Sequence, residues 1–439
     1  MKRPPADEIE APMTVLLDRP LPVADGTSTP VAVPRSPVKG RDSFIDLLRL
    51  FGMALVVLQH WTIPVLTYDG ARLATGNALS TPGAWAITWI SQVMPLVFFA
   101  GGAANAISFR RTTVPAPAWL AVRLRRLAWP LLPLAAVWIP LPHILLTFGV
   151  PEQPLEVGAR LTGQLLWFLA VYLIAVTATP LLLRAHDRYG WRVPAVLAAG
   201  AVLTDVLRFS TGFEAAGYLN IVFVWLAVHQ LGFFYTDGRL KRPAVLAAAG
   251  FGAAALLVAY GPYPGSMIGL PGAEVSNMAP PTLAMLAVGL GQIGLATLLR
   301  PWIVRLNTGR LVAWAGPRIM TVYLWHMPAL FAVTGVVVVT LGVNTPAPGS
   351  LAWLAGWPVW LALLGLVMWP LLRAFARFEE PPALPYGKTG WPGALVAAGL
   401  VGGGILTLTV TGFAPGLAPA LATIALIGGL LLTAPKSRA

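Results

Sequence analysis

Cysteine is absent from the 439 residues. That excludes disulfides, thiolate metal sites and a cysteine nucleophile, and it leaves the redox compartment undetermined. Charge is scarce as well: Asp, Glu, Lys and Arg make up 11% of the chain, against roughly 25% in a soluble domain. Lysine supplies only five of the thirty basic residues, and the heavy use of Ala, Gly, Pro and Arg is the bias of a GC-rich bacterial genome. The apolar share is 57% and the mean hydropathy +0.73. Glycine and proline, 44 and 41 residues, fall within and between apolar runs of about twenty residues, the length of a spanning helix. These features predict an all-α fold, a polytopic membrane helix bundle. The net charge of +13 would suggest nucleic acid in a soluble protein. Here the basic residues flank apolar runs, so the bilayer is the expected partner and nucleic acid is not.

Residues 1–40 carry eight prolines among scattered charges and lack the continuous apolar core of a secretory signal. A disordered cytoplasmic tail is expected there. Apolar segments at about 45–66, 85–108, 127–148, 162–183, 193–208, 218–235, 243–260, 280–299, 319–342, 351–372, 391–411 and 416–434 predict twelve spans. With the tail inside, twenty-six basic residues fall on inner stretches, while Arg72, Arg160 and Arg208 fall outside and Arg49 lies within the first span. The positive-inside rule then predicts a multipass protein of the plasma membrane with both termini cytoplasmic.

The first span carries Asp46, Arg49 and His60. Ionisable groups in a spanning segment cost several kcal/mol and mark function by default, about 2.5–3.5 kcal/mol at the bilayer centre on insertion scales. Eleven residues separate Arg49 from His60, which returns them to nearly one helix face, roughly 16 Å apart along the axis. Asp46 is three residues before Arg49, within reach of a helical side-chain pair. The three form a polar stripe from the inner edge toward the outer half of the bilayer.

A second intramembrane histidine, His326, lies in Tyr323-Leu324-Trp325-His326-Met327-Pro328 on the ninth span. Pro328 frees a backbone carbonyl that His326 is placed to satisfy. His143 and His229 read as histidines satisfied by neighbouring helices, and His186 as a loop residue. Asp205 and Arg208 have the spacing of an ion pair at the rim. No two histidines have the carboxylate-flanked spacing of a metal site, so no metal is expected. The loop between spans two and three is basic: Arg110, Arg111, Arg123, Arg125 and Arg126. Such a cluster anchors an inner loop and is also suited to phosphates, which guanidinium groups bind bidentately.

Together these segments resemble the acyltransferase 3 family of integral membrane O-acyltransferases, over about residues 41–380. Its first-span Asp-x-x-Arg, followed by ten residues and a histidine, is matched by Asp46, Arg49 and His60. Its cytoplasmic Arg-x-x-Arg is matched by Arg123 and Arg126, and its late Tyr-Leu-x-His-x-Pro by Tyr323, Leu324, His326 and Pro328. The resemblance implies a ten-helix core that moves an acyl group, commonly acetyl, from cytoplasmic acyl-CoA to a hydroxyl of a glycan, a lipid-linked sugar or a secondary metabolite, as in O-acetylation at the bacterial cell envelope. It implies a co-substrate, acetyl-CoA, and no bound cofactor. Residues 381–439 would be an additional transmembrane hairpin and cytoplasmic C-terminus.

Under the resemblance, His60 is the catalytic base or acyl carrier, with Asp46 holding Arg49. Arg49, Arg123, Arg126, Tyr323, His326 and Trp167 bind substrate. The chain departs from the family pattern twice: the second-span segment reads Phe98-Phe99-Ala100-Gly101-Gly102 without the usual serine, and Trp167-Phe168-Leu169-Ala170-Val171-Tyr172 lacks the usual glutamate. Two rival expectations follow. Twelve spans and Asp187-Arg188-Tyr189-Gly190-Trp191-Arg192 resemble a secondary transporter of the major facilitator type, although that loop falls between spans four and five and no two-half repeat is evident. The missing serine and glutamate also fit a catalytically inactive membrane partner in envelope synthesis.

Overall fold

The computed structural model describes residues 42–306, 308–382 and 389–433, so the tail expected over 1–40 lies outside the described residues. Eleven helices among these are long and apolar enough to cross a bilayer, and a further apolar helix, Leu417–Leu432, has 16 residues. At 1.5 Å per residue the latter reaches about 24 Å, short of a hydrocarbon core of about 30 Å. The protein is a polytopic membrane helix bundle.

Helix α1 (Ser43–Thr62) begins at Asp42, whose Oδ1 accepts the N–H groups of Phe44 and Ile45 at 3.0 and 3.3 Å. Such a cap satisfies donors that the first turn leaves open. The other carboxylate oxygen accepts the Tyr235 hydroxyl at 2.8 Å, and Arg300 donates to that hydroxyl at 2.9 Å. The start of α1 is thus tied to two later helices.

After α1 comes a feature the all-α reading does not contain. Strands β1 (Pro64–Tyr68) and β2 (Leu73–Asn77) pair antiparallel. At their turn Gly70 has φ +96°, and the Asp69 carboxylate accepts the N–H groups of Ala71 and Arg72. Those backbone donors, Arg72 first and Ala71 next, hold the Asp69 carboxyl below its usual range. Leu66 and Leu73 turn inward onto Met327, Leu330 and Val333.

Helix α2 (Met94–Arg110) packs against α1. The third span starts earlier than hydropathy suggests, as α3 (Ala116–Ala128), continued by Leu131–Trp138 and Pro140–Thr147. The basic loop expected here is therefore largely helix. Trp119, Leu120, Leu124 and Ala128 are buried along one face, the i, i+4, i+8 stripe of a packed helix, and the arginines occupy the rest of its circumference.

The remaining long helices are α4 (Glu152–Gln164), α5 (Trp167–Tyr189), α6 (Arg192–Thr211), α7 (Asn220–Thr236), α8 (Pro243–Tyr260), α9 (Leu283–Ile303), α10 (Ile319–Thr334), α11 (Leu351–Phe375), α12 (Trp391–Thr411) and α13 (Leu417–Leu432). Helices α12 and α13 pack on each other, and α12 lies against α3, α4 and α5. Phe413 N–H donates to the Ala159 carbonyl at 3.0 Å, fastening the pair to α4.

Two apolar cores organise the bundle. One gathers α3, α5, α10, α12 and α13; the other gathers α2, α7 and α9. Helix α1 feeds both, with Met53 and Val57 in the first and Phe44, Ile45, Leu48 and Val56 in the second. Its polar residues therefore stand at a seam between two packed units. Helices α2 and α7 meet through glycine: a Cβ on Gly102 would lie 1.9 Å from the His229 carbonyl oxygen, and one on Gly232 2.4 Å from Ala103 N and Phe99 O. Small residues allow this backbone approach inside a membrane bundle.

Candidate active site

At the end of α1 next to the hairpin, His60 meets His326 of α10. His60 Nδ1 and His326 Nε2 are 2.8 Å apart, and the two rings lie within 8° of parallel. His60 is partly buried and His326 fully so. Three hydrogen bonds lace the surroundings. Trp61 Nε1 donates to the His326 carbonyl at 2.9 Å, Trp360 Nε1 to the Trp61 carbonyl at 2.8 Å, and the Tyr323 hydroxyl to the Leu165 carbonyl at 2.6 Å. His326 Nδ1 faces the carbonyl oxygens of Tyr323 at 2.7 Å and Val322 at 3.2 Å. The carbonyl freed by Pro328 is that of Leu324, four residues earlier, and His326 does not reach for it. Helical side chains lean toward the N-terminus, which aims the ring at residues three and four positions back.

At the other end of α1, Arg49 is exposed and Asp46, one turn earlier, is partly buried. Arg123 of α3 lies within electrostatic range of Arg49, Arg126 and Tyr172. The structure thus brings together the arginines of the two basic motifs. Among the described residues none of Arg49, Arg123 and Arg126 has a carboxylate within ion-pair distance. Beside them opens a cavity of about 340 Å³ lined by Ser108, Arg111, Thr112, Thr113, Val114, Trp119, Val122, Arg123 and Arg126. The Trp119 indole N–H donates to Ser108 Oγ at 3.1 Å, and the Arg123 guanidinium sits 5.3 Å from the indole ring centre. Cations gathered around hydroxyls at a cavity mouth suit an anionic, phosphate-bearing ligand. Sequence reading picked out Arg123 and Arg126 but missed Trp119 and Ser108, which fix the wall they project from.

Between these two ends run aromatic rings. Tyr323 meets Phe168 edge-on at 5.6 Å, and Phe168 stacks on Tyr172 at 5.7 Å. Trp167 stands further off, tilted on Trp225 at 6.1 Å and edge-on to Phe168 at 6.3 Å. It joins the α2–α7–α9 core rather than the histidine pair. The two departing segments are neighbours in space: Tyr172, in the place of the glutamate, lays its ring over Gly101, where a Cβ would come within 2.5 Å of it, while Gly102, in the place of the serine, faces the His229 carbonyl. Gly101 makes room for the ring.

Four further polar residues differ from expectation. His186 is not in a loop; it is buried on α5, where Nε2 lies 2.8 Å from Asp237 Oδ2 and Nδ1 lies 3.1 Å from Gln230 Nε2. Arg110 donates to Asp237 and Asp187, so α2, α5 and α7 share one ion cluster. Burial works against the Asp237 carboxylate, and hydrogen bonds from Arg110 and His186 outweigh it, holding its carboxyl below the usual range. Asp205 and Arg208 take different partners instead of each other. Asp205 accepts from Asn220 at 2.7 Å, the Tyr263 hydroxyl at 3.0 Å and Leu283 N–H at 2.7 Å, while Arg208 pairs with Glu214 at 2.7 Å. His143 is exposed, not enclosed by neighbouring helices. His229 is buried beside Asn105 at 3.2 Å.

The helix that carries Tyr323 and His326 is held at its start from a distance. Glu379 accepts Met320 N–H at 2.7 Å, Thr321 N–H at 3.3 Å and Thr321 Oγ1–H at 2.7 Å, closing the open first turn of α10. Glu379→Ala is expected to destabilise the protein by about 1–2 kcal/mol, the range for losing an N-cap, and Glu379→Gln by less. Thermal unfolding in lipid nanodiscs reads both.

A family model of the acyltransferase 3 domain matches residues 42–372, three quarters of the chain, and takes in both ends of α1, the cavity and the histidine pair. Searches of curated proteins and of solved structures return no match. Sequence and geometry agree on one assignment: this chain belongs to the acyltransferase 3 family, and it is a membrane-embedded acyltransferase.

Proposed function

We propose that the protein transfers an acyl group, acetyl in the simplest case, from cytoplasmic acyl-CoA to a hydroxyl of a glycan, a lipid-linked sugar or a small metabolite at the bacterial cell envelope. The observation that carries this reading is that one helix, α1, holds Arg49 within electrostatic range of Arg123 in the wall of an anion-suited cavity and, toward its other end, holds a partnered histidine. The excess of basic residues on that side supports a cytoplasmic cavity end. The donor's phosphates sit against Arg49, Arg123 and Arg126. The slender acyl-bearing arm then follows α1 toward His60.

His60 takes the proton of the acceptor hydroxyl as general base, or accepts the acyl group itself before passing it on. Tyr323, Phe168 and Tyr172 form the aromatic wall along the path, and Trp167 backs it through Phe168. The aromatic Tyr172 in place of a carboxylate gives that wall fewer partners for sugar hydroxyls, which supports a less polar acceptor than a polysaccharide.

Binding tests the donor half. Acetyl-CoA titrated calorimetrically into the protein in lipid is expected to bind, and Arg123→Ala or Arg126→Ala to weaken binding by about tenfold to a hundredfold, the worth of a charge-assisted hydrogen bond. Simple acetyl thioesters lacking phosphates, such as that of N-acetylcysteamine, are expected to bind weakly and alike to all three proteins. Equal acetyl-CoA affinity in all three would remove the cavity from the donor site.

A further inference from the structure

We infer that His326 is a positioning residue for His60: it dictates which His60 nitrogen reacts and supports the charge that develops there. The inference rests on the acyl-transfer reading of His60 and departs from the substrate-binding role expected of His326. It follows from the direction of the hydrogen bonds. The carbonyls of Tyr323 and Val322 only accept, so His326 Nδ1, at 2.7 and 3.2 Å from them, carries the proton. In a neutral ring Nε2 is then a bare lone pair. A donor must face it at 2.8 Å, and the atom there is His60 Nδ1. His60 therefore holds its proton on Nδ1 and keeps its lone pair on Nε2, which has no hydrogen-bond partner among the described residues. The nearly parallel ring planes suit this reading, because imidazole lone pairs lie in the plane of the ring.

The arrangement has the logic of a catalytic triad, in which a third group fixes the tautomer of a histidine base. The third group here is a neutral imidazole. An ionised carboxylate at this depth would be costly in an apolar bundle, whereas His326 carries no charge in the resting pair. During transfer the acceptor O–H proton passes to His60 Nε2 and the oxygen bonds to the thioester carbonyl carbon. The C–S bond breaks, and the proton on Nε2 passes to the departing thiolate, giving ester and free coenzyme A thiol. While His60 is an imidazolium, its Nδ1–H bond to His326 becomes charge-assisted and strengthens. His326 is held for this task by the Trp61 bond to its carbonyl and by full burial.

Magic-angle-spinning NMR of the protein with ¹⁵N-labelled histidine in lipid, without acyl-CoA, reads the tautomer directly. The His60 signals, identified by their loss in His60→Ala, are expected to show Nδ1 protonated and Nε2 bare. His326→Phe is expected to release that tautomer and to lower kcat about tenfold to a hundredfold with KM for acetyl-CoA unchanged. His326→Gln, whose amide oxygen can accept from His60, is expected to restore the tautomer and part of kcat. An active wild-type protein with His60 protonated on Nε2 overturns the role given to His326 and leaves the acyl-transfer reading standing. An unchanged tautomer and kcat in His326→Phe does the same. A wild-type protein with the expected tautomer that moves no acyl group overturns the acyl-transfer reading instead.

Discussion

His60→Ala is expected to lower kcat for acyl transfer by about 10²–10⁴-fold, the usual worth of a general base, while KM for acetyl-CoA changes little. The split follows from the layout of α1. The groups proposed to hold the donor are at the Arg49 end, roughly 16 Å from His60 along the axis, so truncating His60 leaves them in place. Its ring is partly buried, and the hydrogen bond and ring contact it makes among the described residues are both to His326, so the fold tolerates the loss. Steady-state kinetics with varied acetyl-CoA, on protein whose thermal unfolding matches wild type, measures the effect. A KM increase with kcat retained would place His60 in binding rather than chemistry.

Gly102→Ala is expected to be the most damaging single methyl in the bundle. The added Cβ would lie 1.9 Å from the His229 carbonyl oxygen and 2.8 Å from its carbonyl carbon, far inside van der Waals contact. The obstacle is helix backbone, which cannot rotate away as a side-chain tip can. Overpacking by a methylene in a tight core costs about 1–3 kcal/mol where neighbours can relax, and here α2 and α7 must separate instead. A large drop in unfolding temperature is expected. Activity is expected to fall with it, because α2 supplies Ser108 to the cavity, is followed directly by Arg111 in the cavity wall and packs directly on α1. Gly403→Ala on α12, with nothing within 4 Å of its Cβ, serves as the control and is expected to be neutral.

Hydropathy made the spans legible, and the stripe on α1 was legible because its residues are local and helical geometry relates them. The pairing of His60 with His326 was not: 266 residues separate them, and no periodicity connects one span to another. Their shared importance came through the motifs, and their contact came from packing. The basic stretch before the third span reads as a loop because Pro115, Pro117 and its arginines depress local hydropathy. Trp119, Leu120, Leu124 and Ala128 at helical spacing were the signal that it is a helix. The β-hairpin had a signal too, Asp69-Gly70 between two short apolar runs, which is strong hairpin punctuation. His186 sits in Arg184-Ala185-His186-Asp187-Arg188, charged enough to pass for a loop, yet it is buried with Leu183 one turn earlier on the same face of α5. The Glu379 cap on α10 had no local signature, since its partners lie almost sixty residues away.

Transfer of label tests the proposed reaction most directly. The purified protein in liposomes is given acetyl-CoA labelled in its acetyl group, together with extracted envelope glycans, lipids and metabolites as acceptors. The account predicts an alkali-labile labelled ester and an equal amount of free coenzyme A thiol, with both lost in His60→Ala. Movement of a solute across the liposome without consumption of acetyl-CoA, or ester formation that survives His60→Ala, would contradict it.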